Sequence, residues 1–155
     1  MRSVRWLAGL VAFVGLHACT TPSELCGDAS PPEIVLGVGT TSFEALADGD
    51  IVDFEYGFQG GVHSFFALEV SGLRSGDTYT SFTVVTEDGR EVGTLFEYRA
   101  IKCRAGVLQT GEMQLIWRAE PDMLDGQEVR IQVLVEDSGG QTQALERIVV
   151  LRQSH

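Results

Sequence analysis

The sequence has few basic side chains. Its 155 residues include 11 Lys and Arg against 22 Asp and Glu, which gives a formal charge of −11 at pH 7. This balance argues against a nucleic-acid-binding protein, because affinity for phosphate rests on clustered Lys and Arg side chains. The hydrophobic fraction of 44% is normal for a globular protein and excludes a wholly disordered chain. The length is typical of one domain.

Motifs of catalysis and metal binding are also missing. The sequence contains no G-x-S-x-G elbow, no glycine-rich phosphate loop and no internal repeat. His63 is the only histidine between Cys19 and the terminal His155, and no ligand spacing supports a transition-metal site around it. Ser64, its neighbour, would point to the opposite face of a strand, so the two do not form a nucleophile and its base. We therefore expect a protein that is not an enzyme and uses no cofactor.

No hydrophobic run is long enough for a transmembrane helix. Arg2 and Arg5 precede the apolar segment Trp6–Leu16, which has 11 residues, whereas a spanning helix needs about 20. A short positive region followed by a short apolar region is typical of a secretory signal peptide. We assign residues 1–18 to this signal peptide.

The residues at the expected cleavage site are Leu16-His17-Ala18-Cys19. They resemble the bacterial lipobox, which implies lipidation of Cys19 and cleavage just before it. The alternative is an ordinary signal peptide with a cysteine near its cleavage site. Thr20, in place of aspartate, follows the cysteine, and by the same resemblance this favours the outer membrane. Cleavage leaves 9 basic against 22 acidic side chains, a formal charge of −13, so lipid rather than a polybasic patch would hold the protein at the membrane.

Residues 19–33 carry three of the four prolines, together with Ser, Thr, Gly and acidic residues. This composition predicts a semi-extended tether between the lipidated cysteine and the folded domain. Cys26 lies in the tether and Cys103 in the domain, and an oxidising compartment favours a disulfide between them. Such a bridge would add roughly 4 kcal/mol of stability through loop entropy. Two unpaired thiols are the alternative, and a zinc site is not supported because neither cysteine has a second ligand at CxxC or CxxH spacing.

Residues 34–155 show the period-two alternation of β-strands, with turn signals every 8–12 residues. The pattern predicts an all-β domain, a single immunoglobulin-like antiparallel β-sandwich of about 7–9 strands. Pro121–Leu124 is the only helix candidate. Alternation groups the following residues on common strand faces: Val52, Phe54, Tyr56 and Phe58; Val62, Phe66, Leu68 and Val70; Phe82 and Val84; Val92, Phe96 and Tyr98; Met113, Leu115 and Trp117; Val129, Ile131, Val133 and Val135; Leu145, Val149 and Leu151.

Two resemblances accompany this pattern. The strand and turn from Leu124 to Gly140 resemble the last hairpin of bacterial immunoglobulin-like domains, which implies that architecture and no function. A second resemblance involves Phe43, Leu46, Asp48-Gly49-Asp50, Gly57, Gln59-Gly60-Gly61-x-His63 and Ser71-Gly72-Leu73. With the hairpin, these residues resemble a group of uncharacterised lipoproteins from myxobacteria and related deltaproteobacteria, a group that implies no activity.

The segment from Gln59 to His63 is the most distinctive local feature. Gly60 and Gly61 permit positive φ, so one hypothesis is a backbone nest for a ligand beside the imidazole of His63. The other is a tight hairpin turn. Alternation places His63 and Phe65 on the outer face of a strand, where they would form a partly exposed contact patch.

The acidic residues Asp48, Asp50 and Asp53 raise the hypothesis of a calcium site. Their spacing does not match an EF-hand loop, so a solvated turn with outward carboxylates is the favoured interpretation.

Two functional hypotheses follow. The first is a non-catalytic, lipid-anchored protein of the bacterial envelope, whose domain binds another envelope protein or a polysaccharide, or has a structural role. The second is a periplasmic metal- or small-ligand-binding protein that uses His63 with the Asp48, Asp50 and Asp53 group.

Overall fold

The computed structural model describes residues 32–39, 42–57, 60–74, 76–104 and 107–154. Its elements are β1 (Glu33–Val38), β2 (Glu44–Ala45), β3 (Asp50–Tyr56), β4 (Val62–Ser71), β5 (Gly76–Thr86), β6 (Glu91–Arg104), β7 (Val107–Gln109), β8 (Met113–Trp117), α1 (Pro121–Leu124), β9 (Glu128–Glu136) and β10 (Thr142–Gln153). The predictions of an all-β domain and of a helical turn at Pro121–Leu124 are confirmed. In the described residues no helix has both the length and the hydropathy needed to cross a membrane.

Seven of the strands close into a barrel. Going round it, β4 pairs with β3, β3 with β10, β10 with β9, β9 with β5, β5 with β6, β6 with β8, and β8 returns to β4. All these pairings are antiparallel except β3 with β10, which is parallel. The expected immunoglobulin-like sandwich is therefore wrong, because a sandwich consists of two sheets with open edges whereas this sheet closes on itself.

Two contacts that are distant in sequence make the closure. β10 pairs in parallel with β3, from Val149 opposite Asp50 to Gln153 opposite Phe54. β8 bridges β4 and β6, with Trp117 opposite both Val62 and Gly93. Alternation along a strand is the same in a barrel and in a sandwich, so the sequence pattern did not distinguish them.

The longest strands extend beyond the ring and carry the remaining elements. The first half of β4 lies between β3 and β8, while its second half lies between β1 and β7. β6 pairs with β7 through residues 102–104. The short β2 adds to β1 as a hairpin. The end of the β1–β2 hairpin, at Val38 and Glu44, lines a groove together with residues of β3 and β4.

Side chains fill the interior of the barrel. The largest fully buried side chains of the described residues, from the ring strands and from the elements packed against them, are Phe54, Phe66, Phe82, Leu36, Leu68, Leu73, Leu108, Met113, Leu115, Leu124, Ile131 and Leu151. Phe66 and Phe82 meet with their ring centroids 5.8 Å apart. Most of the predicted faces are therefore confirmed as core, although Tyr56 is 56% exposed and Phe58 lies outside the described residues.

One predicted grouping is wrong. Val92 is buried, but Phe96 and Tyr98 on the same strand are 65% and 78% exposed. The cause is a β-bulge, because the register between β5 and β6 steps from Val84 opposite Gly93 to Val85 opposite Glu91. The extra residue reverses the alternation, so Phe96 and Tyr98 point outward.

The N-terminal predictions mainly concern residues that precede the described part of the chain. The predicted signal peptide, the predicted lipidation site Cys19, most of the predicted tether and Cys26 lie outside the described residues. Cys103 lies in β6, but its side chain is also outside what the structure describes. The Cys26–Cys103 disulfide therefore stays a prediction.

Candidate functional site

The glycine segment after β3 is a hairpin turn. The Gly57 N–H donates to the Gly61 carbonyl at 2.7 Å, and the Gly60 N–H donates to the Gly57 carbonyl at 2.9 Å. Gly60 has φ of 82°, a conformation that favours glycine. Because the Gly60 amide, one of the two proposed for the ligand nest, already donates within the turn, the geometry favours the hairpin. Gln59 lies outside the described residues.

His63 lies on the outer face of β4, as predicted, but it is only 7% exposed. It stands opposite Glu55 in the β3–β4 pairing, and its Nε2 is 3.2 Å from the Glu55 Oε1. Phe65 meets the imidazole edge-on, with the ring centroids 5.0 Å apart. A Cβ at Gly57 would lie 3.1 Å from the His63 Cε1, so the hairpin also packs closely over the ring. The imidazole is thus held from three sides.

A groove of about 470 Å³ runs beside this pair, between β3, β4 and the β1–β2 hairpin. Two charged side chains of its lining, Asp53 and Arg152, form an ion pair, in which the guanidinium donates from Nε at 2.7 Å and from Nη2 at 2.9 Å to the two carboxylate oxygens. This bidentate hydrogen bond lowers the pKa of Asp53 and raises that of Arg152. The carboxylate of Asp53 is therefore already paired within the protein.

The other two predicted metal ligands have backbone partners. Asp48 accepts a hydrogen bond from the Ile148 N–H at 2.9 Å, and Asp50 accepts one from the Ala47 N–H at 2.7 Å. In the part of the chain that the structure describes, no group of three His, Cys, Asp or Glu side chains is placed to hold a metal ion. The structure does not bring Asp48, Asp50, Asp53 and His63 together, and the arrangement fits a turn with capping carboxylates.

Ser64 points into the barrel, away from His63. Its Oγ accepts a hydrogen bond from the Trp117 indole N–H at 2.9 Å and donates to the Asp53 carbonyl at 2.8 Å. This hydroxyl therefore links β8, β4 and β3 where the barrel closes. In the described residues its two hydrogen-bond partners are an indole N–H and a backbone carbonyl, which is a structural arrangement.

We expect Ser64→Ala to lower the free energy of unfolding by about 2 kcal/mol, because it leaves the buried indole N–H without its acceptor. Urea unfolding measures the loss. In a Trp117→Phe background the indole N–H is absent, so the same serine substitution should cost clearly less. An equal cost in both backgrounds would contradict the role of this hydrogen bond.

The sequence pattern missed a second feature, an exposed cluster on the outside of β5 and β6. We call Tyr79, Phe96 and Tyr98 the aromatic face. Tyr79 stands opposite Tyr98, and its ring centroid lies 5.7 Å from that of Tyr98 and 6.4 Å from that of Phe96. The Tyr79 and Phe96 rings are within 17° of parallel. Large exposed apolar clusters of this kind mark interaction surfaces.

The aromatic face borders a groove of about 510 Å³ that continues over β9 and β10. We call this the outer groove. Strand register sets its floor, because Phe96, Ser81, Leu134 and Ala144 stand in one row across four strands. The small side chains at Ser81 and Ala144 leave room between the larger neighbours.

The next row of the outer groove is polar. It contains Thr83, Gln132 and Glu146. Glu146 accepts a hydrogen bond from the Gln132 amide at 3.3 Å and pairs with the Arg130 guanidinium at 3.2 Å. The groove thus offers hydroxyl, amide and charge-paired groups next to the aromatic face.

No protein-family model matches the chain, and no curated protein matches it. Among solved structures, the chain is similar to a DUF4466 family protein from Parabacteroides merdae, with 11% sequence identity and a TM-score of 0.33. The likeness covers 77% of this chain and 44% of that protein, so this chain spans less than half of its length. A TM-score this low supports no conclusion about fold or function.

Proposed function

We propose that the chain is a non-catalytic, lipid-anchored module of the bacterial envelope that binds its partner through the aromatic face. The observation that carries this proposal is the exposure of Phe96 and Tyr98 beside the outer groove. Exposing aromatic rings to water costs free energy that burial against a partner recovers. Such rings therefore favour binding over a purely structural role.

The polar groups with catalytic potential support the same proposal. Ser64 faces the interior and donates to a backbone carbonyl, while His63 lies on the opposite face beside Glu55. A serine nucleophile requires a base within hydrogen-bonding distance. Ser64 and His63 are consecutive residues of β4, so their side chains point to opposite faces of the sheet.

The membrane anchor in this proposal is Cys19, carried by the lipobox Leu16-His17-Ala18-Cys19. Replacement of Cys19 by alanine should move the protein from the membrane fraction to the soluble fraction, because the variant lacks the cysteine that would carry the acyl chains of the anchor. Fractionation followed by immunoblotting measures this shift, and Cys26→Ala is the matched control. Unchanged fractionation of the Cys19 variant would contradict the lipid anchor.

The binding proposal is tested by photo-crosslinking in cells. A benzophenone amino acid at Tyr98 should give adducts on irradiation, because this side chain points out of the aromatic face. Tyr56 is the matched control, since it is also a tyrosine that is more than half exposed but lies on β3. A discrete band identifies a protein partner and a diffuse high-mass smear a polysaccharide. Equal or absent adducts at the two positions would overturn the proposal.

A further inference from the structure

The outer groove and the aromatic face share a chemistry that suits a sugar chain. The C–H faces of a pyranose ring are apolar, whereas its hydroxyl groups around the rim are polar. Flat aromatic side chains can stack on such a face, while neighbouring amide and hydroxyl groups accept and donate hydrogen bonds. Tyr79, Phe96 and Tyr98 provide the aromatic part here, and Ser81, Thr83 and Gln132 the polar part.

The shape of this surface distinguishes a glycan from a protein partner. Stable protein interfaces have a dry apolar centre with a polar rim and bury about 1,600 Å² in total. Here the aromatic rings stand to one side, and the middle of the surface is a groove floored by Ser81, Leu134 and Ala144, in which one partly exposed leucine stands between two small side chains. Its volume of about 510 Å³ lies in the range of small-molecule sites, so it fits a segment of an extended chain.

The charge of the molecule decides which glycans fit. The chain carries 22 acidic against 11 basic side chains, and Arg130, the arginine beside the groove, is already paired with Glu146 of its lining. Sulfated, phosphorylated or uronic polysaccharides would therefore be repelled by the surface as a whole. A neutral polysaccharide meets no such repulsion, because its contacts are stacking and hydrogen bonds.

We infer that the outer groove and the aromatic face bind a neutral polysaccharide, with Phe96 and Tyr98 stacking on sugar rings and Gln132 hydrogen-bonding to their hydroxyl groups. The inference rests on the proposed function, for which it names the class of ligand. The affinity should be nearly independent of salt concentration, because no ion pair between protein and ligand is formed.

Affinity electrophoresis tests this inference with the full-length chain in detergent. Native gels contain hydroxyethylcellulose, galactomannan or glycogen as neutral probes, and dextran sulfate as the anionic probe. We expect at least one neutral polysaccharide to retard the protein, equally at low and high salt. Tyr98→Ala and Phe96→Ala should each raise the apparent dissociation constant about tenfold, which corresponds to about 1.4 kcal/mol.

Two controls keep the result specific. Tyr56→Ala removes an exposed tyrosine elsewhere on the barrel and should leave retardation unchanged. The thermal unfolding of each variant should match that of the parent protein, since the substituted side chains are exposed. Gln132→Ala checks the hydrogen-bonding part of the inference independently. It removes an amide of the groove, leaves the aromatic face intact and should also weaken the retardation.

Several outcomes would overturn the inference. These are retardation by dextran sulfate alone, no retardation by any neutral probe, retardation that the Tyr98 and Tyr56 variants lose equally, or a Tyr98-dependent dimer in analytical ultracentrifugation. Failure of the inference is distinguishable from failure of the proposed function. A discrete protein adduct at Tyr98 in the crosslinking experiment would preserve the binding module and reject the glycan.

Discussion

Replacement of Asp137 by alanine is expected to lower the free energy of unfolding by about 3 kcal/mol, because one buried carboxylate holds two loops together. Its Oδ2 accepts a hydrogen bond from the Arg74 N–H at 3.0 Å, and its Oδ1 accepts from the Gly139 and Gln141 N–H groups at 2.8 and 3.0 Å. Only 4% of the residue is exposed, so water cannot replace the lost acceptors. Urea unfolding at pH 7 measures the loss.

Asp137→Asn removes the negative charge of the side chain and keeps its shape. Asparagine keeps one oxygen for the amides of Gly139 and Gln141, but its NH₂ group then faces the Arg74 N–H, which is also a donor. We expect this variant to lose less stability than alanine does. Glu87→Ala, which removes an exposed carboxylate in another turn, should change stability by no more than about 0.5 kcal/mol.

The same carboxylate predicts a pH dependence. Burial raises the pKa of Asp137, but the backbone N–H groups of Arg74, Gln141 and Gly139 outweigh burial, and its pKa is lowered overall. A lowered folded-state pKa contributes stability above the unfolded value of about 3.9, and this contribution is lost as the pH falls through the folded value. The difference in stability between the parent protein and Asp137→Asn should therefore shrink from pH 7 to pH 3. A difference that stays constant or grows on acidification would contradict the assignment.

Asp137 also shows where sequence reasoning ends. The run from Asp137 to Gly140 predicts a turn, and the structure has one, with Gly140 at φ of 79°. Its contact with Arg74 spans 63 residues, and no local pattern contains that pairing. Barrel closure is of the same kind, because the pairing of β3 with β10 joins segments about 100 residues apart. Alternation predicts strands and their faces, while the partners of the strands come from tertiary packing.

In the candidate site too, the local pattern predicts the faces of the strand, whereas contacts with other strands determine burial. Alternation correctly places His63 and Phe65 on the outer face of β4 and Ser64 on the inner one. It does not predict the burial of His63, which depends on Gly57 and Glu55 from the neighbouring strand. The aromatic face was not predicted, because strict alternation through Val92 places Phe96 and Tyr98 on the same inner face as Val92, whereas the bulge turns them outward. Glycine at position 93, next to the unpaired Val92, was the one local signal of a bulge.

Phe82→Ala is expected to have the largest effect of the substitutions considered, a loss of about 4 kcal/mol. Phe82 is fully buried and packs against Phe66 inside the barrel. Truncation removes the apolar contact area and leaves a cavity that the closed ring of strands cannot collapse to fill. Phe82→Leu keeps most of the volume and should cost under about 1.5 kcal/mol. Chemical denaturation of the three proteins under the same conditions gives these values.

Phe96→Ala is the matched control, since it is the same substitution on the neighbouring strand. If the bulge at Val92 turns Phe96 outward, this variant should lose no more than about 0.5 kcal/mol, because an exposed ring contributes little to folding. Large and equal losses for Phe82→Ala and Phe96→Ala would mean that Phe96 is also part of the core. The aromatic face would then not exist as a surface, and the proposed binding site would fall with it. A large loss for Phe82 alone supports the burial of Phe82 and the outward position of the rings that the binding proposal requires.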